Sequence, residues 1–332
     1  MTSVIRRGSL DQLGSRSPAG DIYASVERWE AWAPGQTILL TGANAGLGFF
    51  SALGLAASGA RVIMACRNRE RAERAAKRIY QYVPQAELRI EMFDAASLVS
   101  AQRLAEQVAD EPLDAVIANA GIIHTPQQRV PGELGYDLTM TTNFLSHARL
   151  VGALAESFRT RALRFIGVGS MSTLMLPSDP ANLTLEHSYH PYRAYVQSKA
   201  ALQSFGLGLD HRLRQIDAAA RSITVHPGYS ISGLTVQVPG INEPSLAKRW
   251  AGHLQSGFAQ GKHQGAVNIV EAALNPALLE AARAPYLGPR YISKGACQLA
   301  APARLTRQKK LLDPVWDMFV AANGGVDPLA AN

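Results

Sequence analysis

A doubly wound α/β fold, with helices on both faces of a parallel sheet, is predicted by three observations. From Gln36 onward, short apolar runs alternate with longer helical patterns. The runs are continuously apolar rather than alternating, which marks strands buried on both faces. A glycine-rich turn joins the first run to the first helix, and the βαβα rhythm that follows implies helices on either side of one sheet. The 332 residues allow one large domain or two small ones. With 47% hydrophobic and 18% charged residues, a sizeable core can be filled and global disorder is excluded.

The elements follow in order. Thr37-Ile38-Leu39-Leu40 is the first strand, and an apolar helix runs from Phe49 to Ser58. Residues 61–65 form the second strand, and Arg69–Tyr82 a charged surface helix. The third strand covers 88–93, a helix 98–109, and the fourth strand 115–118. Helices are expected over about 135–159 and 195–215, with later strands at 165–168 and 223–225. Residues 234–264 interrupt the rhythm with Pro239-Gly240 and Pro244, then carry Leu246, Trp250, Leu254 and Phe258 at helical spacing. This insert is read as a small lid. Its apolar residues fit either an apolar substrate or an ordinary core-packing face.

The flanks are simpler. Residues 1–20, rich in Ser, Gly and Arg, read as a flexible tail ahead of a single domain over 21–332. Trp29 and Trp32 are expected to pack an N-terminal arm on the core. The extension over about 300–332 carries Arg304, Arg307, Lys309 and Lys310, read as a solvated surface. Two cysteines, Cys66 and Cys297, exclude a disulfide framework and a Cys-rich zinc site, and fit a reducing, cytoplasmic setting. No apolar run reaches the length of a membrane span; the nearest, 47–65, is broken by Gly54, Gly59 and Arg61. The formal charge of +7 suits anionic small molecules, and no nucleic-acid motif accompanies it. The eight histidines form no metal-ligand pattern, His187 and His190 reading as a loop pair.

Chemistry concentrates at two places. The first is Thr41-Gly42-Ala43-Asn44-Ala45-Gly46-Leu47-Gly48, between the first strand and its helix. Glycines there let the backbone approach a pyrophosphate, and the helix N-terminus offers free N–H groups. The second is Tyr195-Val196-Gln197-Ser198-Lys199. Positions i and i+4 share a helical face, so phenol and ammonium can enter one cleft. A phenol beside an ammonium can give a proton to an oxygen on which negative charge builds. A free tyrosine, with a pKa of about 10, exchanges protons poorly at neutral pH; lowering it by about three units represents roughly 4 kcal/mol. The other tyrosine of this stretch, Tyr192, has Val196 four positions on and no such partner.

The Thr-Gly-xxx-Gly-x-Gly spacing resembles the short-chain dehydrogenase/reductase family. The wider context, over about 36–300, resembles its retinol-dehydrogenase-like branch, which includes many bacterial oxidoreductases. The resemblance implies a Rossmann-type sheet of order 3-2-1-4-5-6-7 and a dinucleotide cradled by Gly42, Asn44, Gly46, Leu47 and Gly48. At the end of the second strand, Ala65-Cys66-Arg67-Asn68 lacks the carboxylate that NAD-binding relatives use, and the Arg67 guanidinium suits a 2′-phosphate. NADP(H) is therefore the implied cofactor. Asp94 would bond the adenine, with the Ala95 N–H at the ring, although Asp94 could equally cap a helix. Asn119-Ala120-Gly121 matches the family's Asn-Asn-Ala-Gly, with Ala118 in place of its first Asn. Asn119 would steady the sheet, and Gly121 would let the chain pass close to the ribose. Pro227 and Gly228 would lie against the nicotinamide, and Ser232 stands where a Thr often bonds the carboxamide.

The same resemblance assigns Tyr195 as general acid/base and Lys199 as its activator and ribose ligand. It assigns Ser170 as the carbonyl holder, with Ser172 the runner-up. Ser170 and Tyr195 stand 25 positions apart, a long gap that the branch shares. Asn143 matches the mid-helix Asn whose backbone carbonyl holds a relay water, and also suits a packing position. The expected function is NADP(H)-dependent interconversion of a carbonyl and an alcohol, in a homodimer. A catalytically silent NADP(H)-binding regulator or scaffold, or a double-bond reductase, are the alternatives.

Overall fold

The computed structural model describes residues 33–330. The expected tail and the arm carrying Trp29 and Trp32 lie outside the described residues. The first half runs β1 (Thr37–Thr41), α1 (Gly46–Ala57), β2 (Arg61–Cys66), α2 (Arg69–Tyr82), β3 (Leu88–Met92), α3 (Leu98–Gln107) and β4 (Leu113–Ala118). β1 pairs in parallel with β2 on one side and β4 on the other. Successive strand residues feed two cores. Leu39, Ile63 and Val116 enter the core on one face of the sheet. Ile38, Leu40, Val62 and Ile117 enter the core on the other. Burial on both faces is why these strands read as unbroken apolar runs.

The helix expected over 135–159 is not continuous. It divides into α4 (Leu138–Met140), a π-helical turn over Thr141–Leu145, α5 (Ser146–Ala153) and α6 (Ala155–Thr160). Asp137 starts it, accepting from the backbone N–H of Thr139 at 2.8 Å and of Met140 at 3.3 Å. β5 (Arg164–Val168) and α7 (Ser172–Met175) follow. The next helix, α8 (Pro191–Gln215), begins four residues before the expected Tyr195. His190 caps it, Nδ1 accepting from the Tyr192 N–H at 3.2 Å, and Pro191 opens its first turn. Tyr195 therefore sits a full turn inside the helix.

β6 (Arg221–Val225) leads to β7 (Ser230–Ile231), α9 (Leu246–Leu254), β8 (Gln260–Gly261) and α10 (Lys262–Leu274). β9 (Tyr286–Pro289), β10 (Cys297–Leu299) and α11 (Lys309–Ala322) complete the described chain. The sheet order is β3-β2-β1-β4-β5-β6-β9-β10. β9 takes the seventh, parallel place, and β10 adds an antiparallel edge.

The insert's amphipathic pattern does not face the core. A Cβ on Gly252 would stand 2.8 Å from the Gly233 carbonyl carbon, so α9 rests on this small-residue contact. Leu246, Trp250 and Leu254 are left 79%, 72% and 84% exposed, and Phe258 54%. Arg304, Arg307, Lys309 and Lys310 are exposed, as expected of a solvated cluster. α11 behind them buries Leu311, Val315, Met318 and Phe319. Among the described residues, no helix is long and apolar enough to cross a membrane.

Burial holds His147 down at about 3 and His226 and His263 at about 4, against an ordinary 6.5. The unfolded chain takes up these protons below about pH 6.5, whereas the folded chain refuses them. Stability is therefore full above that pH and falls as the pH drops toward 4, by about 1.4 kcal/mol per histidine per pH unit. Melting temperatures measured from pH 7.5 to 4.5 should fall steeply, and less steeply in His226→Gln. An equal slope in the variant would contradict this account.

Candidate active site

Thr41, the last residue of β1, organises the cofactor end. Its hydroxyl donates to the Ile117 carbonyl at 3.0 Å. It also accepts from the backbone N–H groups of Asn119 at 3.0 Å and Ala120 at 2.9 Å. Asn119 Nδ2 returns a hydrogen bond to the Thr41 carbonyl at 2.8 Å. The ends of β1 and β4 are thereby locked together through Asn119. Gly42 can follow only as glycine: its φ is +69°, and a Cβ would stand 2.9 Å from Ala120 Cα.

The turn opens on α1 with its amide end free. Ala45 at the N-cap offers no side-chain acceptor, and no acidic residue occupies the first turn. Uncapped N–H groups and the positive dipole end together favour an anion. Asn44, Gly46 and Leu47 are half-buried along this turn, and Gly48 is buried beneath it. At the end of β2, Cys66 is buried while Arg67 is exposed, with no ion pair or hydrogen bond among the described residues. Asn68 caps α2, accepting from Arg71 N–H at 2.8 Å. Past β3, Asp94 Oδ1 accepts from Ala96 N–H at 3.0 Å. The capping role considered for Asp94 belongs to Ser97, whose hydroxyl accepts from Ser100 N–H at 3.3 Å. Ala95 is buried beside it.

On the far side of the turn, Pro227 is held by its carbonyl, which accepts from Ser230 Oγ at 2.7 Å and Gln260 Nε2 at 2.8 Å. Gly228 takes a φ of +67°. The missing side chain of Gly265 lets α10 approach both ends at once: a Cβ there would stand 2.8 Å from the Pro227 oxygen and 3.1 Å from Leu47 Cδ2. Ser232, half-buried, begins a 3₁₀ turn over Ser232–Leu234.

The chemical end lies at the C-terminal edge of β4 and β5. Tyr195 is 9% exposed, and burial raises its pKa, while a hydrogen bond with Ser170 pulls it back. The Tyr192 charge acts upward as well, and no lowering by Lys199 accompanies these effects. Lys199 Nζ donates to the Val168 carbonyl at 2.8 Å, and burial holds its ammonium down at about 8. Ser170 Oγ accepts from the Ser172 hydroxyl at 2.9 Å and its N–H at 3.2 Å. Ser170 thus stands between Ser172 and Tyr195, and Ser172 is one step removed.

Asn143 is wholly buried within the π-helical turn. Its Oδ1 accepts from Ile122 N–H at 2.7 Å, and its Nδ2 donates to the Ile122 carbonyl at 3.0 Å and Ser198 Oγ at 2.9 Å. Its side chain is spent on these contacts, and its backbone interacts with the buried His147 ring. Gly121 passes tightly here, a Cβ being 2.8 Å from Asn143 Oδ1 and 3.5 Å from Lys199 Nζ.

Two supporting residues escaped the sequence reading. Gln203, one turn beyond Lys199 on the Tyr195 face of α8, donates to the Ser170 carbonyl at 3.1 Å and to Tyr286 Oη at 3.0 Å. Its Oε1 accepts from Thr173 Oγ1 at 2.9 Å, which completes a clamp on the Ser170 segment. His147 Nε2 lies 3.0 Å from Thr41 Oγ1 beneath the site. The spacing of four from Lys199 was a legible signal for Gln203; His147 had none.

Residues 36–238 match the family model described as short chain dehydrogenase. Retinol dehydrogenase 13 of Mus musculus is 34% identical over 203 residues, 60% of each chain. The chain thus spans under two thirds of that relative's length. Retinol dehydrogenase 14 of Mus musculus is 31% identical over 73% of this chain and 74% of its own. Among solved structures, an uncharacterised protein of Mycobacterium paratuberculosis superposes with a TM-score of 0.69 and 26% identity, covering 88% of this chain and 95% of that one.

Proposed function

The chain belongs to the short-chain dehydrogenase family, and from that premise we propose that it is an NADP(H)-dependent oxidoreductase of the retinol-dehydrogenase-like branch, interconverting a carbonyl and an alcohol. The observation that carries the reading is the convergence of Ser170, Tyr195 and Lys199 with the glycine-rich turn at one edge of the sheet. The cradle suits a dinucleotide: Gly42 and Gly48 leave no room for a Cβ, the α1 amides carry no side-chain cap, and Arg67 is unpaired among the described residues. When bound, the nicotinamide supplies or accepts the hydride.

The chain's own residues do the rest. Tyr195 Oη would give its proton to the developing alkoxide, or take it back in the oxidative direction. The Ser170 hydroxyl would hold the same oxygen. Lys199, fixed by the Val168 carbonyl, would place positive charge near the phenol and bond the ribose. The Asn143 carbonyl would carry the water that links Lys199 to solvent. The exposed Leu246, Trp250, Leu254 and Phe258 support an apolar or bulky substrate, which would cover them.

The test is a parallel fluorescence titration with NADPH and NADH. NADPH should bind more tightly, and Arg67→Ala should weaken it by about 10- to 100-fold, the value of a charged hydrogen bond, while NADH binding is unchanged. Preference for NADH would overturn the Arg67 assignment.

A further inference from the structure

The ammonium of Lys262, the first residue of α10, has no hydrogen-bond or ion-pair partner among the described residues. Its backbone N–H donates to Thr235 Oγ1 at 2.8 Å, which fixes where the side chain starts. From there the side chain turns over the glycine-rich turn. A Cβ on Gly46 would lie 3.7 Å from both Cδ and Nζ of Lys262. Among the described residues, Nζ has no carboxylate and no hydrogen-bond acceptor. Burial and the like charge of Lys248, on α9, both press its pKa down. A half-buried cation that feels another cation, with no anion beside it among the described residues, is an unfavourable arrangement unless an outside anion completes it.

The surface beneath Nζ is the uncapped amide end of α1, which also lacks an anion. We infer that Lys262 is a diphosphate-binding residue, closing over the bridging phosphates of the dinucleotide from the side opposite the α1 amides. The inference rests on the dinucleotide reading above. It adds a residue from outside the glycine-rich turn, and it ties the 234–264 insert, which contains Lys262, to the phosphates. Lys262 and Arg67 then divide the cofactor's charge between them. Arg67 meets only the 2′-phosphate, whereas Lys262 meets the diphosphate that NADPH and NADH share.

That division makes the test specific. NADPH, NADH and ADP are titrated against the wild type, Lys262→Gln, Lys262→Arg and Arg67→Ala, with thermal melts to establish folding. Lys262→Gln should weaken all three ligands by a similar factor, about 10-fold or more. Lys262→Arg should recover most of the loss, because it restores the charge and the donors. Arg67→Ala should affect NADPH alone. Adenosine, which has no phosphate, should compete equally well with the wild type and Lys262→Gln. Unchanged affinities in a folded Lys262→Gln, alongside normal wild-type binding, overturn the assignment of Lys262 and leave the dinucleotide reading standing. So does weakening confined to NADPH. Failure of the wild type to bind any of the three ligands overturns both.

Discussion

Tyr195→Phe should fold, bind nucleotide as the wild type does, and reduce a carbonyl substrate roughly 10²- to 10⁴-fold more slowly, the usual value of a positioned general acid. The substitution removes one oxygen and keeps the ring that α8 buries. Its structural cost is confined to the hydrogen bond with Ser170. The pH dependence separates this role from a merely structural one. Burial keeps the Tyr195 phenol protonated at neutral pH, which is the form a proton donor needs. Reduction should therefore run at an even rate through neutral pH. Alcohol oxidation needs the phenolate and should rise as the pH is raised, until Lys199, held at about 8, gives up its charge. Steady-state rates in both directions from pH 6 to 10 provide the check. Turnover in Tyr195→Phe equal to that of the wild type would overturn Tyr195 as the general acid.

How far the sequence carried these conclusions depended on where each element gets its stability. Strands β1, β2 and β4 are buried on both faces, and their apolar runs announce them directly. Arg69–Tyr82 was legible to the residue because Asn68 caps it and its charges lie on one side. The Tyr195–Lys199 pair needed only the helical repeat. The π-helical turn at Thr141–Leu145 left no such trace. It is set by Asn143 reaching across to Ile122 and Ser198, contacts 21 and 55 positions away in the chain. β9 was equally hidden, since Tyr286-Leu287-Gly288-Pro289 has the composition of a turn and becomes a strand by pairing with β6. The amphipathic pattern of α9 was read correctly as a pattern but could not say which way it faced. Gly252 packing on Gly233 turned its apolar side outward. Lys262 is a single lysine at a helix start, and only the fold brings it over Gly46.

The second large effect is expected at Gly48. Its backbone is ordinary, so the need for glycine is spatial rather than conformational. In Gly48→Ala the new methyl would collide with the Gly42 carbonyl oxygen and stand 2.7 Å from Asn119 Nδ2 and 2.9 Å from the Gly42 carbonyl carbon. None of these can yield cheaply. Two belong to backbone, and Asn119 Nδ2 is held by the Thr41 carbonyl that joins β1 to β4. Gly46→Ala is the control. Its φ of +56° strains an alanine by about 1–3 kcal/mol, but the new methyl would meet nothing nearer than the flexible end of Lys262, at 3.7 Å. Gly48→Ala should therefore lose NADPH affinity by at least about 100-fold, roughly 2.7 kcal/mol, because the turn must shift off the cofactor's phosphates. It should also lose about 1–3 kcal/mol of stability to overpacking. Gly46→Ala should keep a larger share of its affinity. The two variants, measured side by side by fluorescence titration and thermal melting, decide whether the close approach of Gly48 to Gly42 and Asn119 shapes the cradle. Wild-type affinity in Gly48→Ala would mean that the turn binds nothing in this register, and that the dinucleotide must be sought elsewhere along the edge of the sheet.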